Sequence, residues 1–412
     1  MKRVVVTGLG VVSPIGNNVN EFWNNLISGV NGIDYIKSFD ITNFDVKLGY
    51  EVKNLDMSVI PLRDQKFDSK YISYARIASK EAFADSRLEQ EKIDSYKFGV
   101  YISSSGGGTE KTGEGIKVLN EQGSKRISPY LLQATLPNMG SGKVAIDLGA
   151  KGSNMSHVAA CSSGAISIGE AYLKIKHGYE KIILAGASDA SITDLSVASF
   201  SALRAIYRGE DKEVASTPFD SRRNGFSIGE GAAILVLEEL NHALKRNATI
   251  YAELVGYGCN CDANNTVSPD YEGLTCQYAI KDAIKMAKIK PNEVGYINAH
   301  GTSTILNDKT ETKAIKKIFK NSNSYVSSTK GSTGHLLGAS GAIEALVTIK
   351  ALQENTFPYM INYKEQDDSC DLNFILNKPL KTEIKYAISN SFGFGGHNAC
   401  LVFKKWEDNE NN

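Results

Sequence analysis

Apolar positions along this chain follow two alternating patterns. Short, nearly continuous apolar runs, among them FGVYIS from Phe98, KIILAGAS from Lys181 and GAAILVLEE from Gly231, have the length and composition of buried strands. Between them, ISYARIASKEAFADS from Ile72 and YAIKDAIKMAKI from Tyr278 carry apolar residues every three or four positions, which predicts amphipathic helices. Strands alternating with helices imply a layered α/β fold. The opening RVVVTGLG reads as a first strand that breaks into a glycine-rich turn at Gly8 and Gly10. It is not a dinucleotide fingerprint, because the third glycine is replaced by Ser13 and Pro14 follows at once.

The pattern also repeats. RVVVTGLG is echoed by YAELVGYG (Gly256, Gly258), SGAI at Ser163–Ile166 recurs at Ser340–Ile343, and FSIGEGAAILVL from Phe226 is echoed by FGFGGHNACLVF from Phe392. Three echoes in the same order argue for two copies of one α/β unit. The boundary is expected near residue 250, giving halves at 1–250 and 251–408, with 409–412 a solvated tail. Each half would supply a sheet, with helices between and outside the sheets, a helix–sheet–helix–sheet–helix stack.

Composition narrows the partners. The 46 Lys and Arg balance the 46 Asp and Glu, so no global field draws the chain to nucleic acid or to an anionic membrane, and any charged partner must meet a local patch. No window approaches the roughly eighteen continuous apolar residues of a membrane span, and the N-terminal apolar run is too short for a signal peptide. The 6 cysteines lack disulfide-scaffold or zinc-site spacing, which points to a reducing compartment.

Chemistry concentrates at four places. Cys161 follows the apolar run His157–Ala160 and opens the predicted helix CSSGAISIGEAYLKIK, where free N–H groups and the helix dipole favour thiolate without a neighbouring base. On its own such a cysteine reads more readily as a buried, inert one. In VGYINAHGTST, His300 stands at a strand end before Thr302 and Thr304; in YVSSTKGSTGHLLGASGAIEAL, Lys330 and His335 share a glycine-rich loop that enters the duplicate of the Cys161 helix. A pseudo-twofold axis would bring the Cys161 and His335 helix ends together. In NSFGFGGHNACLVF, Gly393, Gly395 and Gly396 free the backbone around Phe392 and Phe394 to aim N–H groups at a ligand.

Taken together, VTGLGVVSPIGN, AACSSG, GFSIGEGA, NAHGTST, SSTKGSTGH and NSFGFGG resemble the β-ketoacyl-[acyl-carrier-protein] synthases, closest to synthase II, from residue 3 to about 404. The resemblance implies a thiolase-like duplicated αβαβα five-layer fold, a cytoplasmic or stromal homodimer, acyl carrier protein as partner, and chain elongation by condensation with a malonyl unit. It casts Cys161 as nucleophile, His300 and His335 as the catalytic histidines, and the N–H groups of Cys161 and Phe394 as the oxyanion hole. Lys330 is expected to support them through an ion pair with Glu344, Asp308 or both. Phe200, Thr302, Thr304, Phe392 and Phe394 fall along the substrate pocket. Arg63, Lys66, Lys125, Arg126 and Arg204 match regions that meet the acidic carrier. No organic cofactor is implied, but Asn298, Ala299, Glu344, Ser389 and Asn390 match positions where some relatives hold a monovalent cation.

Three departures stand out: GASD, ending in Asp189, replaces the usual GGxE; Gly331 and Ser332 alter the Lys330 loop; and His397 replaces the Thr of some members. Two other readings keep the fold, a ketosynthase of a specialised polyketide or polyene pathway and a non-catalytic chain-length partner, the second disfavoured by Cys161. A Cys-His-Asn hydrolase using His300 and Asn298 would leave the Lys330/His335 loop without a role.

Overall fold

The computed structural model describes residues 1–407, so the tail expected at 409–412 lies outside the described residues. Ten strands form the main sheet: β1 (Val4–Val12), β2 (Phe98–Ser103), β3 (Asn154–Met155), β4 (Ile182–Asp189), β5 (Gly231–Glu239), β6 (Ala252–Cys261), β7 (Val294–Asn298), β8 (Tyr325–Ser327), β9 (Tyr386–Gly393) and β10 (His397–Lys405). The helices that matter below are α1 (Leu62–Phe67), α2 (Lys70–Asp85), α3 (Met139–Leu148), α4 (Ser163–Lys176), α5 (Asp194–Ala202), α6 (Leu274–Ala287), α7 (Ile305–Ile318) and α8 (Ser340–Glu354).

Strand order shows the duplication. From the centre outward the first set runs β1-β5-β4-β2-β3 and the second β6-β10-β9-β7-β8. In each set the first two pairings are antiparallel, and those that follow are parallel. Two separate sheets were expected. Instead β1 and β6 pair over Val4–Val6 and Ala252–Leu254, joining the two sets into one ten-stranded sheet. The five-layer packing follows from the alternation of side chains along each strand. Ile183 and Ala185 face the central helices α4 and α8, as do Ala387 and Leu401 of the second set. Ile182 and Leu184 face α2 and α3, while Ile388 and Val402 face α6 and α7.

Two features of the sequence have packing explanations. Gly8 and Gly10 lie within β1 rather than in a turn, because α2 crosses too close for a side chain: a Cβ there would sit 2.3 Å from the Ala82 carbonyl and 2.0 Å from that of Ala78. Gly256 and Gly258 meet the carbonyls of Ala283 and Ala279 on α6 in the same way, at 2.2 and 2.1 Å. The repeated SGAI marks the crossing of the central helices. A Cβ on Gly164 would lie 2.7 Å from the Ala342 nitrogen, and one on Gly341 2.8 Å from that of Ala165.

Candidate active site

Cys161 lies in a single turn of 3-10 helix, Ala160–Ser162, that leads into α4. The apolar run before it forms no strand: His157–Ala159 are irregular, and Ala160 turns the chain with a left-handed φ of 47°. The thiol opens on a cavity of about 640 Å³ that is also lined by His300, His335, Phe392 and Phe394. Phe394 lines the same cavity as Cys161, and the backbone N–H groups of both residues favour the thiolate, though less than burial opposes it.

The electrostatics differ from the sequence expectation. Burial pushes the Cys161 thiol up to about 12, against the opposing pull of the Lys330 charge and the Phe394 N–H. Losing water costs the thiolate more than two N–H groups and a nearby cation return, so the resting group is a thiol and its proton needs an acceptor. The histidines can supply one. Burial holds both His300 and His335 well below the usual imidazole value, and the Lys330 ammonium adds to the effect, so both rings are neutral.

The two rings meet edge to face, with centroids 5.4 Å apart. His335 follows the Lys330–Thr333 helical turn and precedes the 3-10 turn Leu337–Ala339 that leads into α8. The Leu337 N–H donates to its Nδ1 at 3.2 Å, with the Ser340 hydroxyl 2.8 Å away, so the ring proton sits on Nε2. His300 stands just beyond β7, and its buried Nδ1 has no partner. Its backbone is held from two sides: Glu311 accepts from the N–H groups of His300 and Gly301 at 2.9 and 2.8 Å, and Lys330 Nζ donates to the His300 carbonyl at 2.5 Å.

Of the two carboxylates expected to pair with Lys330, only Glu344 does so. Asp308 instead accepts from the N–H groups of Phe219 and Thr302 at 2.8 and 3.0 Å and faces Arg223 at 3.7 Å, because α7 carries it to the far side of the Thr302 loop. Thr302 and Thr304 line the cavity with their hydroxyls 2.9 Å apart. Phe200, on α5, lines the other limb and packs edge to face on Phe226 at 5.3 Å.

Four expected cation ligands carry buried oxygens without hydrogen-bond partners: Asn298 Oδ1, Glu344 Oε2, Ser389 Oγ and Asn390 Oδ1. Asn298 and Ser389 are paired across β7 and β9, and Asn298 Nδ2 donates to the Glu344 carbonyl at 3.3 Å. Several orphaned oxygens and one carboxylate in a small volume suit a hard monovalent cation. Among the described residues no group of three His, Cys, Asp or Glu forms a metal site.

The basic residues separate into two groups. Arg63 and Lys66 are exposed on α1, where Arg63 donates to the Tyr130 hydroxyl at 3.1 Å and Phe67 packs on the Tyr130 ring at 4.2 Å; this ties them to the segment carrying exposed Lys125 and Arg126. Arg204 instead borders the cavity.

Residues 1–243 match the β-ketoacyl synthase N-terminal domain, and residues 251–364 match the β-ketoacyl synthase C-terminal domain. The chain belongs to the β-ketoacyl synthase family. It is 43% identical over 410 residues to a 3-oxoacyl-[acyl-carrier-protein] synthase 2 of Synechocystis sp., covering 98% of this chain and 99% of that one. A Staphylococcus aureus (strain COL) protein of the same name is likewise 43% identical, over 409 residues, with the same coverage. Among solved structures, a β-ketoacyl synthase from Burkholderia phymatum superposes with a TM-score of 0.92 at 33% identity, covering 99% of this chain and 100% of that one. A ketosynthase solved with its acyl-carrier protein, from a type II polyketide system, superposes at 0.89 with 34% identity, covering 98% and 100%. As a β-ketoacyl synthase the enzyme is an acyltransferase with the thiolase-like fold.

Sequence reading missed two supports of this site. Phe226 packs edge to face on His335 at 5.2 Å, as Phe392 does on His300 at 5.8 Å. The echo between the segments beginning at Phe226 and Phe392 carried that signal. Glu311, which positions His300, sits in a charged helical stretch with nothing to distinguish it.

Proposed function

We propose that the enzyme elongates acyl chains by decarboxylative condensation, taking both substrates from acyl carrier protein, as the name 3-oxoacyl-[acyl-carrier-protein] synthase 2 describes for its relatives. The supporting observation is the convergence of Cys161, two neutral histidines and the N–H groups of Cys161 and Phe394 on one cavity. Cys161 sulfur attacks the acyl thioester, its proton passes through a neutral imidazole to the departing carrier thiolate, and the two N–H groups hold the oxyanion. In the second half-reaction the bond from the malonyl methylene to its carboxylate breaks, releasing CO₂ and leaving its electron pair as an enolate. His335 Nε2–H and His300 are the donors for that enolate oxygen. The enolate carbon then attacks the acyl-Cys161 carbonyl, and the Cys161 thiolate leaves and takes up a proton.

Lys330, paired with Glu344, holds the His300 carbonyl and adds its charge to the burial that keeps both imidazoles neutral. A monovalent cation held by the oxygens of Asn298, Glu344, Ser389 and Asn390 and by the Ala299 carbonyl would stiffen the same loop without entering the chemistry. The basic cluster of Arg63, Lys66, Lys125 and Arg126, with Arg204 at the cavity, is the proposed landing site for an acidic carrier. A second copy of the chain is the proposed partner along the sheet edge, where β3 leaves Asn154 and Met155 exposed beside Val158. A cytoplasmic or stromal location fits the six cysteines, all of them unpaired.

The test offers acyl carriers of graded length and unsaturation together with malonyl carrier, and reads the products by mass spectrometry. Saturated β-ketoacyl products two carbons longer support fatty-acid elongation. Turnover only with polyunsaturated or polyketone chains would assign the enzyme to a specialised pathway, the reading suggested by structural relatives such as the ishigamide ketosynthase/chain length factor (30% identical, TM-score 0.93, covering 98% of this chain and 100% of that one). No acyl-Cys161 adduct with any carrier substrate would overturn both.

A further inference from the structure

Asp189 ends β4, is 0% exposed, and uses its carboxylate to gather three segments of the cavity wall. Oδ2 accepts from the N–H and hydroxyl of Ser105, the N–H at 2.9 Å, and from the Gly338 N–H at 3.2 Å; Oδ1 accepts from the Ser191 hydroxyl at 2.5 Å. Ser105 and Ser191 line the cavity, and Gly338 lies in the turn whose Leu337 N–H fixes His335 Nδ1.

The duplication identifies the N–H that Asp189 occupies. Gly338 stands two residues before Ser340 as Cys161 stands two before Ser163, and each follows a left-handed residue, Leu337 at φ 50° and Ala160 at φ 47°. Asp189 ends β4 opposite Gly231, the first residue of β5, as Gly393 ends β9 opposite His397, the first residue of β10. At the nucleophile, Gly393 offers no side chain; a Cβ there would lie 3.1 Å from the Cys161 nitrogen, whose N–H stays available to a reacting oxygen. At the duplicate position, a carboxylate built into the chain takes the corresponding N–H.

We propose that Asp189 is a positioning residue: by filling the duplicated oxyanion turn with its own carboxylate, it fixes the Leu337–Gly338 backbone and so the aim of His335, while holding Ser105 and Ser191 on the cavity wall. This rests on the proposed condensation and concerns its decarboxylation half more than its acylation half, since Cys161 and Phe394 lie on other segments.

The experiment measures the half-reactions separately on full-length D189A, D189N and D189S: acyl-Cys161 formation by intact mass, and CO₂ release from malonyl carrier without an acyl chain. D189A and D189S lower the decarboxylation rate about 10–100-fold while acylation stays within about threefold. D189N recovers most of the loss, because its amide oxygen still accepts from Ser105 and Gly338. Equal losses in both half-reactions, decarboxylation unchanged, or D189N as impaired as D189S would each overturn the proposal. If D189A does not fold, the D189S–D189N pair decides. Failure of the wild-type chain to form acyl-Cys161 would overturn the condensation reading instead, a separate outcome.

Discussion

The turns that open α4 and α8 are two copies of one structure put to opposite uses. Each is a single 3-10 turn that begins on a left-handed residue and leads into an SGAI helix. In the first copy the turn presents Cys161, and the glycine facing it leaves its N–H available. In the second, glycine takes the nucleophile's place, Asp189 takes the N–H, and the residue three positions earlier, His335, enters the cavity. One backbone thus supplies an anion-binding turn twice, and the side chains around it decide whether it serves chemistry or support.

The largest expected effect falls on the first copy. Cys161→Ala removes the proposed carrier of the acyl chain between half-reactions, so condensation should fall by about 10³-fold or more and the acyl-enzyme mass should vanish. Full condensation by that variant would sink the mechanism. The second copy should show the reverse profile. His335→Ala and His300→Ala should slow decarboxylation by about 10²–10³-fold, the scale of losing one donor to a developing oxyanion, and acylation less. Acyl-enzyme formation failing while decarboxylation persists would reverse the roles given to the two turns.

Protonation separates the copies next. With the Cys161 thiol pushed up to about 12 by burial, the thiolate is a small fraction at neutral pH and grows about tenfold per pH unit. Iodoacetamide alkylation of Cys161 should therefore climb with unit slope through pH 9 without levelling. A plateau near neutrality would show that the helix end outweighs burial. The histidines, held below the usual imidazole value, lose their lone pairs only in more acidic solution, so decarboxylation should stay level from pH 8 down to 6.5.

The smallest effects test the crossing itself. Gly164→Ala and Gly341→Ala each force a Cβ against the backbone of the opposite central helix, and overpacking there should cost about 1–3 kcal/mol in thermal or urea unfolding. Nearly equal costs are expected, since the contacts are related by the pseudo-twofold. A large cost at only one site would show that the two turns are not equivalent.

Much of this was legible in the chain. Alternating patterns reveal the strands and helices because burial acts on local periodicity, and the three echoes reveal the duplication because each copy packs its glycines against the same helix positions. Cys161, His300, His335 and Lys330 could be named because each stands in a distinctive motif. The acidity of Cys161 could not be read, since the helix end is local but the burial comes from residues far apart in sequence. The choice of Glu344 over Asp308, the support from Glu311, and the capture of the Gly338 N–H by Asp189 were likewise closed to the chain alone. They depend on groups 14, 11 and 149 positions apart; the first two pairs meet only when the second half folds, and the last only when the two halves pack together. Sequence determined which groups could react; the fold decided which are protonated, which are paired, and which turn belongs to the substrate.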